Sequence, residues 1–156
     1  MPLLGTQWRN RDVMRLLWDN HWHDANILMT MGAVLFAESN NYDHAWHWND
    51  SNEPHQDGST DWGIFQLNDG NYGGVSPDGN GNPQEGGLRT VDQVLTFRDM
   101  AWDPYAAAPY ARKLYIARGF QPWAAYNSKA FQKYIAQSCV AVCNMLAVLN
   151  GLKPVV

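Results

Sequence analysis

Residues 24–39 read DANILMTMGAVLFAES, a run with helical spacing that is apolar on nearly every side. A helix lying on a protein surface keeps a polar face, so a helix of this kind has to be surrounded by other elements. The rest of the chain must therefore wrap around it. Asp24 stands where an N-cap accepts the free N–H groups of a first turn, and Glu38 falls at the carboxyl end. A chain of about 150 residues buries roughly 68–70% of its unfolded surface. The 156 residues here therefore suffice for one domain, residues 1–156, built around that helix.

The flanking sequence supplies the wrapping. NRDVMRLLWDN (10–20) spaces Val13, Met14, Leu16, Leu17 and Trp18 as a short amphipathic helix. Residues 40–58 are dense in Asn, Asp, His, Ser and Pro, which opposes regular structure through most of the stretch. The Asp57-Gly58 turn signal before STDWGIFQLN predicts a small β element. GNYGGVSPDGNGNPQEGG (70–87) is a turn-rich loop of a length that implies function or mobility. Its calcium-loop reading fails, because Pro83 replaces the required Gly and Arg89 stands where the closing Glu belongs.

Helical signals resume with a Thr90/Gln93 capping box, and again with Asp103-Pro104, in a helix that should end at Gly119 and has Pro109 inside it. A last helix is expected from Ser128 to Gly151, with Phe131, Ile135, Cys139, Val142, Leu146 and Leu149 as its buried stripe. The expected class is α+β, mainly α, with a small β element between helix sets.

Charge and composition exclude several functions. Eleven basic against fifteen acidic residues leave a net charge of -4 with no basic stripe, so nucleic acid is not an expected partner. No run of about 18 apolar residues points to membrane insertion, and the N-terminal sequence lacks the signal-peptide pattern. A soluble monomer without a secretory signal is expected. Cys139 and Cys143, four apart in an apolar pattern, read as buried thiols of a reducing compartment. Five histidines invite a zinc reading, but no His-Glu-x-x-His or Cys-x-x-Cys pattern accompanies them. No metal and no cofactor are expected.

Glu38 ends an otherwise apolar helix, where burial and the negative end of the helix dipole both disfavour its charged form. A carboxylic acid kept protonated near neutral pH can hand its proton to a leaving glycosidic oxygen. Asp61 follows a turn in polar surroundings, where a carboxylate should stay ionised, so the pair has the makings of a glycosidase site. Eight Trp, seven Tyr and five Phe supply flat rings able to stack on sugars. Trp46 and Trp48 in the polar loop and Trp62 beside Asp61 are the candidates. Trp46, Trp48, Trp62, Trp102 and Trp123 also have a plainer use as core.

FAES at the end of the apolar helix, DGSTDWGIFQLN after the loop, and AWDPYAAAPYARKLYIARGFQPWAAYNSKAF downstream occur in one order. Together they resemble the lysozyme superfamily, in its transglycosylase-type domains, across roughly residues 24–131. The resemblance implies a lysozyme-like fold and cleavage of the β-1,4 bond between N-acetylmuramic acid and N-acetylglucosamine in peptidoglycan. By motif, it implies that Glu38 is the acid, that Gln66 positions substrate, and that Tyr126 and Asn127 line the cleft. Asp61 matches the aspartate of animal lysozymes, but the interval from Glu38 is longer than theirs, so its role is conditional. Lys129 stands where the Tyr-Asn motif usually continues to Gly.

A bacteriophage endolysin or virion-associated lysin fits this pattern, the former held in the host cytoplasm until holin-dependent release to the wall. Two alternatives remain open at this level. One is a non-catalytic wall-binding or virion structural module of the same fold; the other is a zinc-dependent amidase. For Gln66, Tyr126 and Asn127 the plain reading is also open: a buried glutamine satisfying backbone groups, a packed aromatic and a helix-end cap.

Overall fold

The apolar helix lies where its composition requires. In the computed structural model, which describes residues 1–71 and 74–154, α2 (Ala25–Ser39) packs against α1 (Asn10–Asp19), α5 (Ala124–Asn127), a 3-10 segment (Ala130–Tyr134) and α6 (Ile135–Leu149). Asp24 caps α2 by accepting from the backbone N–H groups of Asn26 and Ile27 at 2.9 and 3.0 Å. Gly32 lies where Met14 of α1 and Ser138 of α6 converge on the helix, and a side chain there would collide with both. The helix closes at Asn40, whose left-handed conformation (φ 50°) is one that Asn tolerates better than most residues.

The remaining helices are α3 (Val91–Trp102) and α4 (Pro104–Arg118). The Thr90/Gln93 capping box is formed at α3. Asp103 caps α4 with Pro104 in its first turn, and Gly119 ends it at φ 62°. The buried apolar side chains form one cluster that reaches from Val13 to Met145. The fold is α+β and mainly α, as expected. No helix among the described residues is long and apolar enough to cross a membrane.

The β element is an antiparallel three-stranded sheet ordered β1 (Trp46–Trp48), β2 (Thr60–Trp62) and β3 (Leu67–Asn68). Its first strand arises inside the polar stretch, where no strand was expected. The turn from β2 to β3 is held against α3 by Gly63 at φ 78°, where a Cβ would come within 2.0 Å of the Ala101 carbonyl oxygen. Only glycine fits both that conformation and that approach. In the following turn-rich loop Tyr72 and Gly73 lie outside the described residues. There Asp78 accepts from the N–H groups of Asn80 and Asn82, so it organises a turn.

Two expectations are corrected. The single helix expected from Ser128 to Gly151 is instead the 3-10 segment followed by α6, and it starts only after Lys129, whose left-handed conformation (φ 63°) an α-helix cannot contain. Of the expected stripe, Val142 is buried with Ser138, Ala141 and Met145, and Phe131, Leu146 and Leu149 pack half-buried against the core. Cys139 and Cys143 are exposed free thiols, not buried ones, because no described residue covers their side of α6.

Candidate active site

Three hydrogen bonds converge on the carboxyl end of α2. Ser39 Oγ donates to the Ile64 carbonyl at 2.9 Å, tying the helix end to the turn between β2 and β3. Trp123 Nε1 donates to the Phe65 carbonyl at 2.8 Å, tying the same turn to the start of α5. Ala125, in the first turn of α5, donates its backbone N–H to Glu38 Oε1 at 2.7 Å and so closes the triangle. The first N–H groups of any helix lack partners within it, and here a carboxylate from another helix satisfies one of them.

Glu38 is half-buried within this frame. Burial raises its pKa above the ordinary range for glutamate; the Ala125 N–H pulls in the opposite direction, and the Asp61 charge adds a further upward push. Asp61, the second carboxyl of the candidate pair, lies on β2.

The sheet register explains how Asp61 is held. His47, Asp61 and Asn68 are cross-strand neighbours in a single row. Alternation puts this row on one face of the sheet and the row Trp46, Trp62 and Leu67 on the other. Asn68 Nδ2 donates to Asp61 Oδ1 at 2.9 Å, and Asn49 Nδ2 donates to Oδ2 at 3.0 Å. Each carboxylate oxygen thus has an amide donor. Burial nevertheless raises the Asp61 pKa, opposed by the two amides and by His47, while Asp69 pushes it further up. The expected contrast between one raised carboxyl and one in ordinary polar surroundings is therefore corrected: both are raised, and burial is the first cause in each case.

Two of the three candidate tryptophans, Trp46 and Trp62, are corrected as well. Trp62 is 0% exposed, with its indole N–H donating to Asp69 Oδ2 at 3.0 Å, so neither ring face is open to a sugar. Trp46 is also buried and lies 6.4 Å from the Trp62 ring, and half-buried Trp48 packs against the same core. The cause is alternation, since Trp46 and Trp48 share the inward side of β1 and His47 takes the outward side.

Gln66 is buried, with φ 47°, and its Nε2 donates to the Gly63 carbonyl at 2.9 Å. It also lines a cavity of about 210 Å3 together with Asn68 and Trp123. Tyr126 is 37% exposed and lies between Phe120 and Phe131, with ring centroids 4.8 and 5.1 Å away. Asn127 Nδ2 donates to the Gln121 carbonyl at 2.9 Å. Tyr126 thus belongs to a stack of rings and Asn127 ties α5 to the connection before it, one and two residues beyond the N–H that holds Glu38. Two larger grooves, of about 440 and 580 Å3, run along α1 and contain none of these residues.

His47, Asn49 and Asn68 are the site residues that the sequence reading passed over. Asn68 closes the STDWGIFQLN motif, and pairing the two ends of that motif as a hairpin puts it beside Asp61. Among the described residues no three His, Cys, Asp or Glu side chains converge as a metal-ligand set.

No protein-family model, curated protein or solved structure matches this chain. Its chemistry has to be read from the site itself.

Proposed function

We propose that the chain is a peptidoglycan glycosidase that cleaves the β-1,4 bond between N-acetylmuramic acid and N-acetylglucosamine, with Glu38 as the acid. The observation that carries this reading is the setting of Glu38. It is a half-buried carboxyl whose pKa burial raises, fixed by one backbone donor from α5, with the Asp61 charge a further, smaller upward push. A protonated Glu38 gives its proton to the glycosidic oxygen as the bond to the anomeric carbon breaks, and positive charge develops on the sugar ring.

The carboxylate form of Asp61, held by Asn49 and Asn68, stabilises that charge or attacks the anomeric carbon. A water molecule, deprotonated by Glu38, then completes hydrolysis with retained configuration. The 6-hydroxyl of the same sugar can act in place of water, with Glu38 again taking the proton, and the product is then a 1,6-anhydro sugar. The order of the sequence motifs supports the lysozyme-like assignment, and a bacteriophage lysin is the setting that goes with it.

Zymography on purified cell walls tests the reading. The wild-type chain should clear the wall and Glu38→Gln should not. Clearing that survives the substitution removes Glu38 from the chemistry, and no clearing by either chain favours a binding module. Mass spectrometry of the released fragments separates the two reactions, because anhydro products are lighter by one water.

A further inference from the structure

The 210 Å3 cavity beside the site has one feature that acid catalysis leaves unexplained. Arg118 is the single charged residue among those that line it, beside Gln66, Asn68, Tyr110, Gln121 and Trp123. Arg118 is exposed and makes no ion pair or hydrogen bond among the described residues, whereas Arg9, Arg15 and Arg98 each pair with an aspartate. A cation in the last turn of a helix has a structural use against the helix dipole. That use requires neither a cavity nor an open guanidinium fork.

The cavity is joined to the candidate site at two points. Asn68 lines it and also donates to Asp61, and Trp123 lines it one residue before α5, the helix that holds Glu38. A ligand here is next to Asn68, the side chain that holds Asp61. Whole drug-sized ligands fill pockets of about 300–1,000 Å3, so this space suits a single substituent or ring.

We infer that this cavity is a subsite for a carboxylate-bearing substituent of the glycan strand, with Arg118 as its counter-charge. The inference rests on the glycosidase reading and adds a substrate preference to it, for strands carrying carboxylates over neutral ones. An unpaired guanidinium offers a planar pair of donors that matches a carboxylate. Gln66, Asn68 and Gln121 provide polar walls, and Tyr110 and Leu114 provide apolar surface. In a chain of net charge -4, and close to Asp61, an anion needs such a local cation.

Two carboxylates occur on a peptidoglycan strand: that of the lactyl ether, once the peptide is removed, and those of the attached peptide. Binding is measured by calorimetry in a Glu38→Gln background, so that nothing is turned over. The three soluble probes are a neutral N-acetylglucosamine oligomer, a peptide-free muramyl oligomer and a peptide-bearing one. Arg118→Gln should weaken binding of at least one carboxylate-bearing probe about 10-fold or more and leave the neutral probe unchanged. Arg118→Lys should retain part of the affinity. The probe that loses affinity identifies which carboxylate is read.

Equal weakening on all three probes, no weakening on any, or no binding of any probe before Arg118 is changed overturns the inference. Failure of the wild-type chain to clear walls would sink the catalytic reading separately, because these affinities are read without turnover.

Discussion

The backbone N–H of Ala125 donates to Glu38 Oε1 over 2.7 Å, joining residues 87 apart in sequence. Glutamine keeps an oxygen at that position and loses only the proton that an acid would give. Glu38→Gln should therefore fold as the wild type does and lose about 10²–10⁴-fold in rate of wall cleavage, the range typical of general acid–base catalysis. Turbidity clearance and circular dichroism on the same samples check both halves. Unfolding of the variant would mean that the carboxylate serves the frame more than the chemistry.

The parts of this site that were legible in the sequence are those governed by local rules. Asp24, Thr90 and Asp103 cap the helices they precede, because a cap depends on residues a few positions away. The burial of α2 followed from its composition. The direction of the Trp46, Trp48 and Trp62 side chains did not, because a one-residue change of strand register exchanges the two faces of a sheet. Composition alone could not tell that His47 faces outward and its two tryptophan neighbours inward. The Lys129 break was hidden for a related reason: residues 128–151 have helical spacing throughout, and packing of the 3-10 segment against α2 overrides it.

Raised carboxyl pKa values have a consequence for stability that can be given a sign. A carboxyl whose pKa is higher in the folded than in the unfolded chain binds protons more tightly when folded. Its favourable contribution is fully present below the unfolded value of about 4 and is lost as pH rises through the folded value. Glu38 and Asp61 both belong to this class. Thermal melts should then show Glu38→Gln more stable than wild type near neutral pH, with the difference shrinking towards pH 3. A difference of the opposite sign at neutral pH would show that the Ala125 hydrogen bond outweighs burial.

Cys139 and Cys143 lie one helical turn apart on an uncovered side of α6, and both are free and exposed. Helix geometry does not readily allow a disulfide between them within one turn. Both thiols should react with a thiol reagent such as DTNB in the native protein, with no denaturant, giving two equivalents per chain. Reaction only after unfolding would mean that this face of α6 is covered in solution.

Trp123 links the two halves of the frame. Its indole N–H donates to the Phe65 carbonyl at 2.8 Å, its ring is 2% exposed, and its backbone precedes α5. Trp123→Phe keeps an aromatic ring in the core but leaves the Phe65 carbonyl without this partner, which costs about 1–3 kcal/mol for a buried polar group. The same change releases the turn between β2 and β3 from the start of α5, and with it the fixed position of the N–H that holds Glu38. Activity at a temperature where the variant is fully folded should therefore fall, through kcat more than through KM. A lowered melting temperature with unchanged kcat would show that Trp123 stabilises the fold without positioning the acid.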